Sequence, residues 1–156
     1  LDNLDRRQFV TKSAAAVTVT FACLCGLSGC AAYSKVSDTP TANPDSVTID
    51  GSVVTVDLAT EPTLRAVGGA IKVRHANIPD GIIIAHVEDS RYEVVSLLCT
   101  HRGVELEYDH QRTRFQCPSL GSSVFTLDGA NVSGPARGPL QQYEAFLEGD
   151  ILTIRL

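Results

Sequence analysis

Two short stretches hold the residue types that bind metals or form disulfides: Cys99-Thr100-His101-Arg102-Gly103 and Cys117-Pro118-Ser119-Leu120-Gly121-Ser122. Thiolates are soft ligands suited to zinc or iron–sulfur centres, and imidazole suits zinc and iron. A mononuclear zinc or iron site built from Cys99, His101 and Cys117 has three protein ligands, one fewer than a closed structural zinc site. Cys23, Cys25 and Cys30 sit in or at the end of an N-terminal apolar run. Only two cysteines are then left inside the folded body, too few for a disulfide scaffold. No hydrolytic triad, phosphate loop or paired-carboxylate site stands out, so the chain carries no independent substrate-transforming centre.

The elements around these stretches read as short strands. Val53 to Leu58 alternates as a half-buried strand does. Gly68-Gly69 breaks the chain before Ala70 to Val73, and Pro79-Asp80-Gly81 signals a turn before the β-branched run Ile82 to Ala85. Tyr92 to Leu98 leads into the first cysteine stretch. Leu106 to Tyr108 and Arg112 to Phe115 flank Asp109-His110-Gln111 as a hairpin running into the second. Further strands follow at Val124 to Leu127, Tyr143 to Leu147 and Ile151 to Leu156. With 12 Gly, 7 Pro, 6% aromatics and no sustained three-and-four apolar spacing beyond the first 30 residues, the fold class is all-β. The net charge of −5 shows no basic stripe and excludes nucleic acid as a partner. His110 reads as a solvated turn residue, and His75 and His86 as surface residues on or beside strands.

The N-terminal residues read as an address. Asp5-Arg6-Arg7-Gln8-Phe9-Val10, then Lys12 and a weakly apolar run from Ala14 to Leu27, resembles a twin-arginine export signal. That run is short for a membrane-spanning helix, which needs about 20 residues. Leu27-Ser28-Gly29-Cys30 resembles a lipobox, with Cys30 the lipidated residue. Acyl chains there would hold the protein on a membrane of the bacterial cell envelope, facing the periplasm or the outside. Residues 1–29 thus read as the signal peptide, 30–46 as a flexible tether poor in apolar residues, and 47–156 as the folded domain.

The two cysteine stretches also resemble the cluster-binding loops of the Rieske iron–sulfur family. Asp128-Gly129, Gly134-Pro135-Ala136 and Gly138-Pro139-Leu140 follow in the family's order. The resemblance implies an antiparallel β sandwich or barrel with a small cluster-binding subdomain inserted at about 98–140. In that family each loop gives one cysteine and one histidine to a [2Fe-2S] cluster. Carried over, Cys99, Cys117 and His101 match three ligands, while the second histidine's position is Leu120, which has no lone pair. Water, hydroxide or the hydroxyl of Ser119 or Ser122 would complete the outer iron. Ser122 matches the serine that supports the cluster, and Gly134 and Pro135 belong to the loop that closes over it. The family's extra disulfide falls at Val104 and Ser119 and is absent, and Phe125 lies one position later than the family's aromatic.

Two functions follow from the resemblance. One is an exported one-electron carrier with atypical ligation, passing electrons to a redox partner protein or complex. The other is a degenerate, cluster-free domain acting as a structural or binding module. Two thiolates on one metal lie about 3.7 Å apart for metal–sulfur bonds of about 2.3 Å. A cluster-free pocket in an oxidising compartment should therefore close with a Cys99–Cys117 disulfide.

Overall fold

The computed structural model describes residues 38–156. The export motif, the Cys30 lipobox and the first part of the expected tether lie outside those residues. Two antiparallel sheets make up the fold. The larger contains β1 (Val47–Asp50), β2 (Val53–Asp57), β3 (Ala70–His75), β4 (Ile78–Glu88), β5 (Arg91–Ser96), β10 (Gln142–Glu148) and β11 (Ile151–Arg155), the last two named by their place in the chain. Its strand order is β1-β2-β11-β10-β5-β4-β3. Between β5 and β10 run the four short strands of the second sheet: β6 (Glu107–Asp109), β7 (Arg114–Gln116), β8 (Val124–Phe125) and β9 (Asn131–Ser133), paired in that order. The architecture is the all-β sandwich with an inserted small subdomain that the sequence implies.

Strand β10 joins the two halves of the large sheet. Its first residues, Gln142 and Tyr143, pair with β5, and Glu144 to Glu148 pair with β11. The sheet folds on itself there, so Val54, Val56, Leu152 and Ile154 of one half pack against Ile71, Ile82, Ile84 and Val94 of the other. A second core lies on the opposite face of β4 and β5. There Ile83, Ala85, Val95 and Leu97 meet Leu106, Tyr108, Phe115, Phe125 and both loop cysteines. Strand β4 is therefore covered on both sides, which is why Ile82 to Ala85 reads as an unbroken apolar run rather than an alternation.

Three local expectations differ from the structure. Pro79-Asp80-Gly81 does not end a strand but lies inside β4, where the β3–β4 register shifts between Val73 and His75. Pro79 and Asp80 face solvent. Gly81 takes a φ of +62° and comes close to the Val73 carbonyl, so a Cβ there would lie 2.9 Å from that oxygen. A local irregularity with a left-handed glycine uses the same residues as a turn. His86 is buried rather than on the surface: its ring stacks on Tyr92 at 4.4 Å, and neither ring nitrogen has a hydrogen-bond partner. Its position facing the first core on β4 outweighs the polar character of the residue.

The third difference concerns the tether. Asp38 to Ser46 is a strap fixed to both sheets. Lys72 N–H donates to the Pro40 carbonyl and Ala42 N–H to the Lys72 carbonyl, each at 2.8 Å. On the other side Thr39 N–H donates to Glu107 Oε2 at 2.6 Å, and Tyr108 N–H to Thr39 Oγ1 at 3.0 Å. Beneath the strap Lys72 Nζ and Glu107 Oε1 form a buried ion pair at 2.5 Å, with Glu105 Oε2 3.4 Å from the same ammonium. A polar sequence gave no apolar signal for this order because backbone hydrogen bonds and a buried charge pair supply it.

A buried ion pair left with one partner costs roughly 3–5 kcal/mol, whereas an apolar replacement of both partners is often neutral. Lys72→Met is therefore expected to lower unfolding stability by about 3 kcal/mol in urea titrations. The K72M/E107L pair should regain most of that loss; a K72M midpoint equal to the parent's would show that the pair does not hold the sheets together. The carboxylates nearby set an acid dependence. Burial alone would push Glu105 up, but the hydrogen bonds and charges of Arg74 and Lys72 outweigh it and hold its carboxyl below the ordinary range. Asp109 follows the same pattern, burial being outweighed by Arg112 and then by the charge of Arg114. Depressed folded values favour the folded state above the ordinary carboxylate pKa of about 4, and the advantage disappears as pH falls below it. Stability measured from pH 7 downward should fall in that acid range, and more shallowly in an E105Q/D109N variant.

Candidate metal centre

The two cysteine loops leave the same end of the small subdomain. Beyond the end of β5 at Ser96 the chain runs through Leu97 and Leu98 into Cys99 and turns back through β6. There Cys99 N–H donates to the Val104 carbonyl at 2.9 Å and Gly103 N–H to the Cys99 carbonyl at 2.8 Å. This tight turn needs the left-handed φ of +65° at Gly103. Strand β7 runs into Cys117, whose N–H donates to the Ser123 carbonyl at 2.8 Å, while Ser122 N–H closes onto the Ser119 carbonyl at 2.9 Å.

Both cysteines are core residues, 2% and 0% exposed, and both are free thiols. They belong to the same buried cluster, and Cys117 is among the groups that act on the Cys99 thiol. Burial, first of all, pushes the Cys99 thiol up; the His101 backbone N–H and the Ser123 hydroxyl act in the opposite sense, and Cys117 adds to the rise. On the other thiol, Cys117 Sγ lies 3.0 Å from Ser119 Oγ. The pocket thus surrounds two sulfur atoms with apolar side chains and three polar hydrogens or oxygens.

The third ligand candidate stands beside them. His101 is half-buried, and its Nδ1 is buried without a hydrogen-bond partner. Such an orphaned nitrogen is rare unless something unrepresented takes it up. Leu120, by contrast, is 90% exposed at the tip of the second loop. His110 lies at the turn of the β6–β7 hairpin, the opposite end from both cysteines, where Tyr108 Oη meets its Nδ1 at 3.3 Å and Gly68 packs on its ring. It does not reach the place of the missing imidazole. Among the described residues no three His, Cys, Asp or Glu side chains converge on a single ion.

A third loop closes over the second. Gly134 takes a φ of +89° and lies so close to the backbone of Ser123 that a Cβ would meet Ser123 Cα at 2.5 Å. Pro135 packs on Gly121, and Ala136 N–H donates to Ser123 Oγ at 3.0 Å. Thr100 Oγ1 donates to the Gly138 carbonyl at 2.9 Å, tying this loop to the first. The serine that joins all three loops is thus Ser123, fully buried, which the sequence reading passed over. Ser122, the serine it named, is half-buried with a φ of +38°, and its Oγ reaches only the Ser119 carbonyl at 3.5 Å. Ser123 stands two residues before Phe125, and the one-position lag of Phe125 in the sequence was the signal that pointed past Ser122. Gly121 and Ser122 between Leu120 and Ser123 are both left-handed.

As a test of fit, the thiol half of the site suits iron: two buried, adjacent sulfurs with hydrogen-bond donors around them. The orphaned His101 Nδ1 supplies one imidazole donor. The last position falls on Leu120, which cannot ligate and faces solvent, so three of the four residues fit a two-iron cluster and the fourth does not.

Comparison with known proteins matches this geometry. The family description "Rieske [2Fe-2S] domain" matches residues 32–144. The chain is 29% identical over 100 residues to the cytochrome b6-f complex iron-sulfur subunit of Chlorobaculum tepidum, covering 64% of this chain and 54% of that protein. The subunit of the same description from Chlorobaculum thiosulfatiphilum is 38% identical over 60 residues, 38% of this chain and 33% of that one. The chain thus spans about half, or less, of the length of these curated relatives. Among solved structures, the cyanobacterial plasma membrane Rieske protein of Synechocystis shares the fold with a TM-score of 0.51 at 21% identity, over 61% of this chain and 93% of that one. The ferredoxin of a carbazole dioxygenase from Nocardioides aromaticivorans gives 0.51 at 19% identity, over 60% and 91%. With a family match across well over half of its length, closing on the same two cysteine loops and proline loop, the chain belongs to the Rieske [2Fe-2S] domain family.

Proposed function

We propose that this protein is an exported one-electron carrier of a membrane redox system, held to the bacterial cell envelope through Cys30, with an atypically ligated iron–sulfur cluster. The observation that carries this reading is the buried pair Cys99 and Cys117 beside the unpartnered His101 Nδ1, under a closed proline loop. Cys99 and Cys117 would hold one iron and His101 the other, with solvent or a loop hydroxyl in the position of Leu120. When bound, such a cluster supplies a one-electron redox couple, raised in potential where imidazole replaces thiolate. The chain's own residues do the rest. Ser123 and the His101 N–H stabilise negative charge at Cys99, the second core excludes water from the sulfurs, and Gly134 to Ala136 shields the second loop. The relatives described as cytochrome b6-f complex iron-sulfur subunits support a redox protein or complex as the partner. The twin arginines and the lipobox support export and anchoring.

Leu120 favours a second reading, a cluster-free domain that serves as a structural or binding module. Being exposed and without a lone pair, it leaves the outer iron open to solvent. Iron and acid-labile sulfide analysis on anaerobically purified protein decides between the two. Two irons and two sulfides per chain with visible absorption are expected; colourless, iron-free protein selects the module.

The loop geometry sharpens a ligand-restoration test. Leu120→His alone leaves the imidazole on an exposed tip lengthened by one residue. Combined with deletion of Ser122, it restores the spacing to Phe125. The visible and electron-paramagnetic spectra of a two-histidine cluster are expected from the combined variant and not from L120H alone. Equal spectra from both would mean that Leu120 is a simple substitution in an otherwise intact loop.

A further inference from the structure

The chain carries 13 basic and 18 acidic side chains, a net −5, so the molecule as a whole repels an acidic partner. Among the described residues nearly every cation is already engaged. Arg65, Lys72, Arg74, Arg91, Arg112 and Arg114 each lie within ion-pair distance of a carboxylate, and Arg155 stands over the Phe146 ring at 5.0 Å. Two exposed cations among the described residues have neither kind of partner, Arg102 and Arg137. Both belong to the cysteine end, one in the first loop and one in the third. Loops 99–104, 117–123 and 134–140 contain no Asp or Glu. The carboxylates that border them in sequence are taken up elsewhere: Glu105 by Lys72 and Arg74, and Asp128 by the Thr126 hydroxyl of its own turn. The loops are also joined into one surface. Thr100, two residues before Arg102, donates to the carbonyl of Gly138, next to Arg137, and Pro135 packs on Gly121 beside the exposed Leu120.

We propose that this surface docks an acidic patch of a partner protein, with Arg102 and Arg137 each meeting a carboxylate and Leu120 supplying the apolar contact. That the partner is a redox protein rests on the carrier reading; its acidic character rests on the charges alone. An arginine fork matches a carboxylate with two parallel hydrogen bonds, and arginine is enriched in protein interfaces where lysine is depleted. The negative body adds orientation. An acidic partner is repelled by the body and attracted at this end, so it meets the cysteine loops first. A basic partner would instead be drawn to the body, away from the site. An anionic bilayer is a poorer fit, because a flat surface meets the negative body as well as this end, whereas a protein patch can contact this end alone.

The test uses the full chain as purified, with a dye-labelled deca-glutamate peptide as the acidic probe followed by fluorescence anisotropy. The peptide is expected to bind the parent at low salt and to be released as salt shortens the screening length. R102Q/R137Q should weaken binding about tenfold, two exposed charge pairs being lost. R65Q/R155Q removes the same charge from two other exposed arginines and should stay within about twofold of the parent. Because Arg102 and Arg137 hold no ion-pair partner in the fold, R102Q/R137Q should melt with the parent, which separates lost docking from lost folding. Failure of the parent to bind the peptide overturns the proposal, and so does an equal loss in the two double variants. Binding of the parent to mixed phosphatidylcholine–phosphatidylglycerol vesicles that falls in R102Q/R137Q, with peptide binding unchanged, also overturns it and assigns the face to a membrane. Iron and sulfide are measured on the same preparation. Their absence removes the carrier reading and leaves the docking result standing, so failure of one is distinguishable from failure of the other.

Discussion

Everything at the cysteine end of this molecule depends on β4 and β5 being covered on both faces. One face of the pair closes the core of the folded large sheet; the other receives the small sheet, with Ile83, Ala85, Val95 and Leu97 as its floor. Because β5 ends at Ser96 and the next residue, Leu97, is fully buried in that floor two residues before Cys99, the first loop starts from a fixed point. Phe115 and Phe125, both fully buried, anchor β7 and β8 to the same core and so fix the start and the return of the second loop. The positions of the sulfurs are therefore set by apolar packing between strands, not by anything the loops do for themselves.

A polar staple supplements this packing at the far edge. The strap from Asp38 to Ser46 adds no apolar bulk, yet it joins β3 through the backbone of Lys72 and β6 through Glu107 and Tyr108. The Lys72–Glu107 pair under it spans the same gap between the sheets. Apolar contact alone allows two layers to slide, since it is not directional. A buried charge pair with backbone donors around it tolerates little displacement before a group is left unpaired. The strap thus fixes the register between the layers, and the position of β6 under the first loop follows from it.

Much of this was legible in the sequence, for a physical reason in each case. Strands β2, β3, β5 and β11 announce themselves through alternation or β-branched runs, and the cysteine spacing survives because it is chemistry rather than packing. The parts that were not legible share a cause as well. The strap is polar and takes its order from partners remote in sequence, Lys72 and Glu107. His86 belongs to the core through its place on β4, which no local window shows. Pro79 to Gly81 has the composition of a turn and serves as a kink within a strand. Ser123 was hidden because the matched Gly-Ser pair draws attention to Ser122, even though the backbone turns its neighbour inward.

The contrast between Leu120 and the two cysteines then lies in the burial of the site. Free cysteine behaves as a small hydrophobe, and both cysteines here are members of the second core, in the same cluster as Phe115 and Leu140. Folding constrains them whether or not metal is bound. Position 120 lies on the outside of a loop, 90% exposed, where a side chain contributes nothing to packing. A side chain there can change without disturbing the core, and the left-handed Gly121 and Ser122 follow it. His101 lies between these extremes, half-buried with one nitrogen sheltered and unpartnered. The scaffold therefore fixes the two thiols through the packing of the fold itself, whereas the side chains at the outer end of the site owe little of their position to that packing.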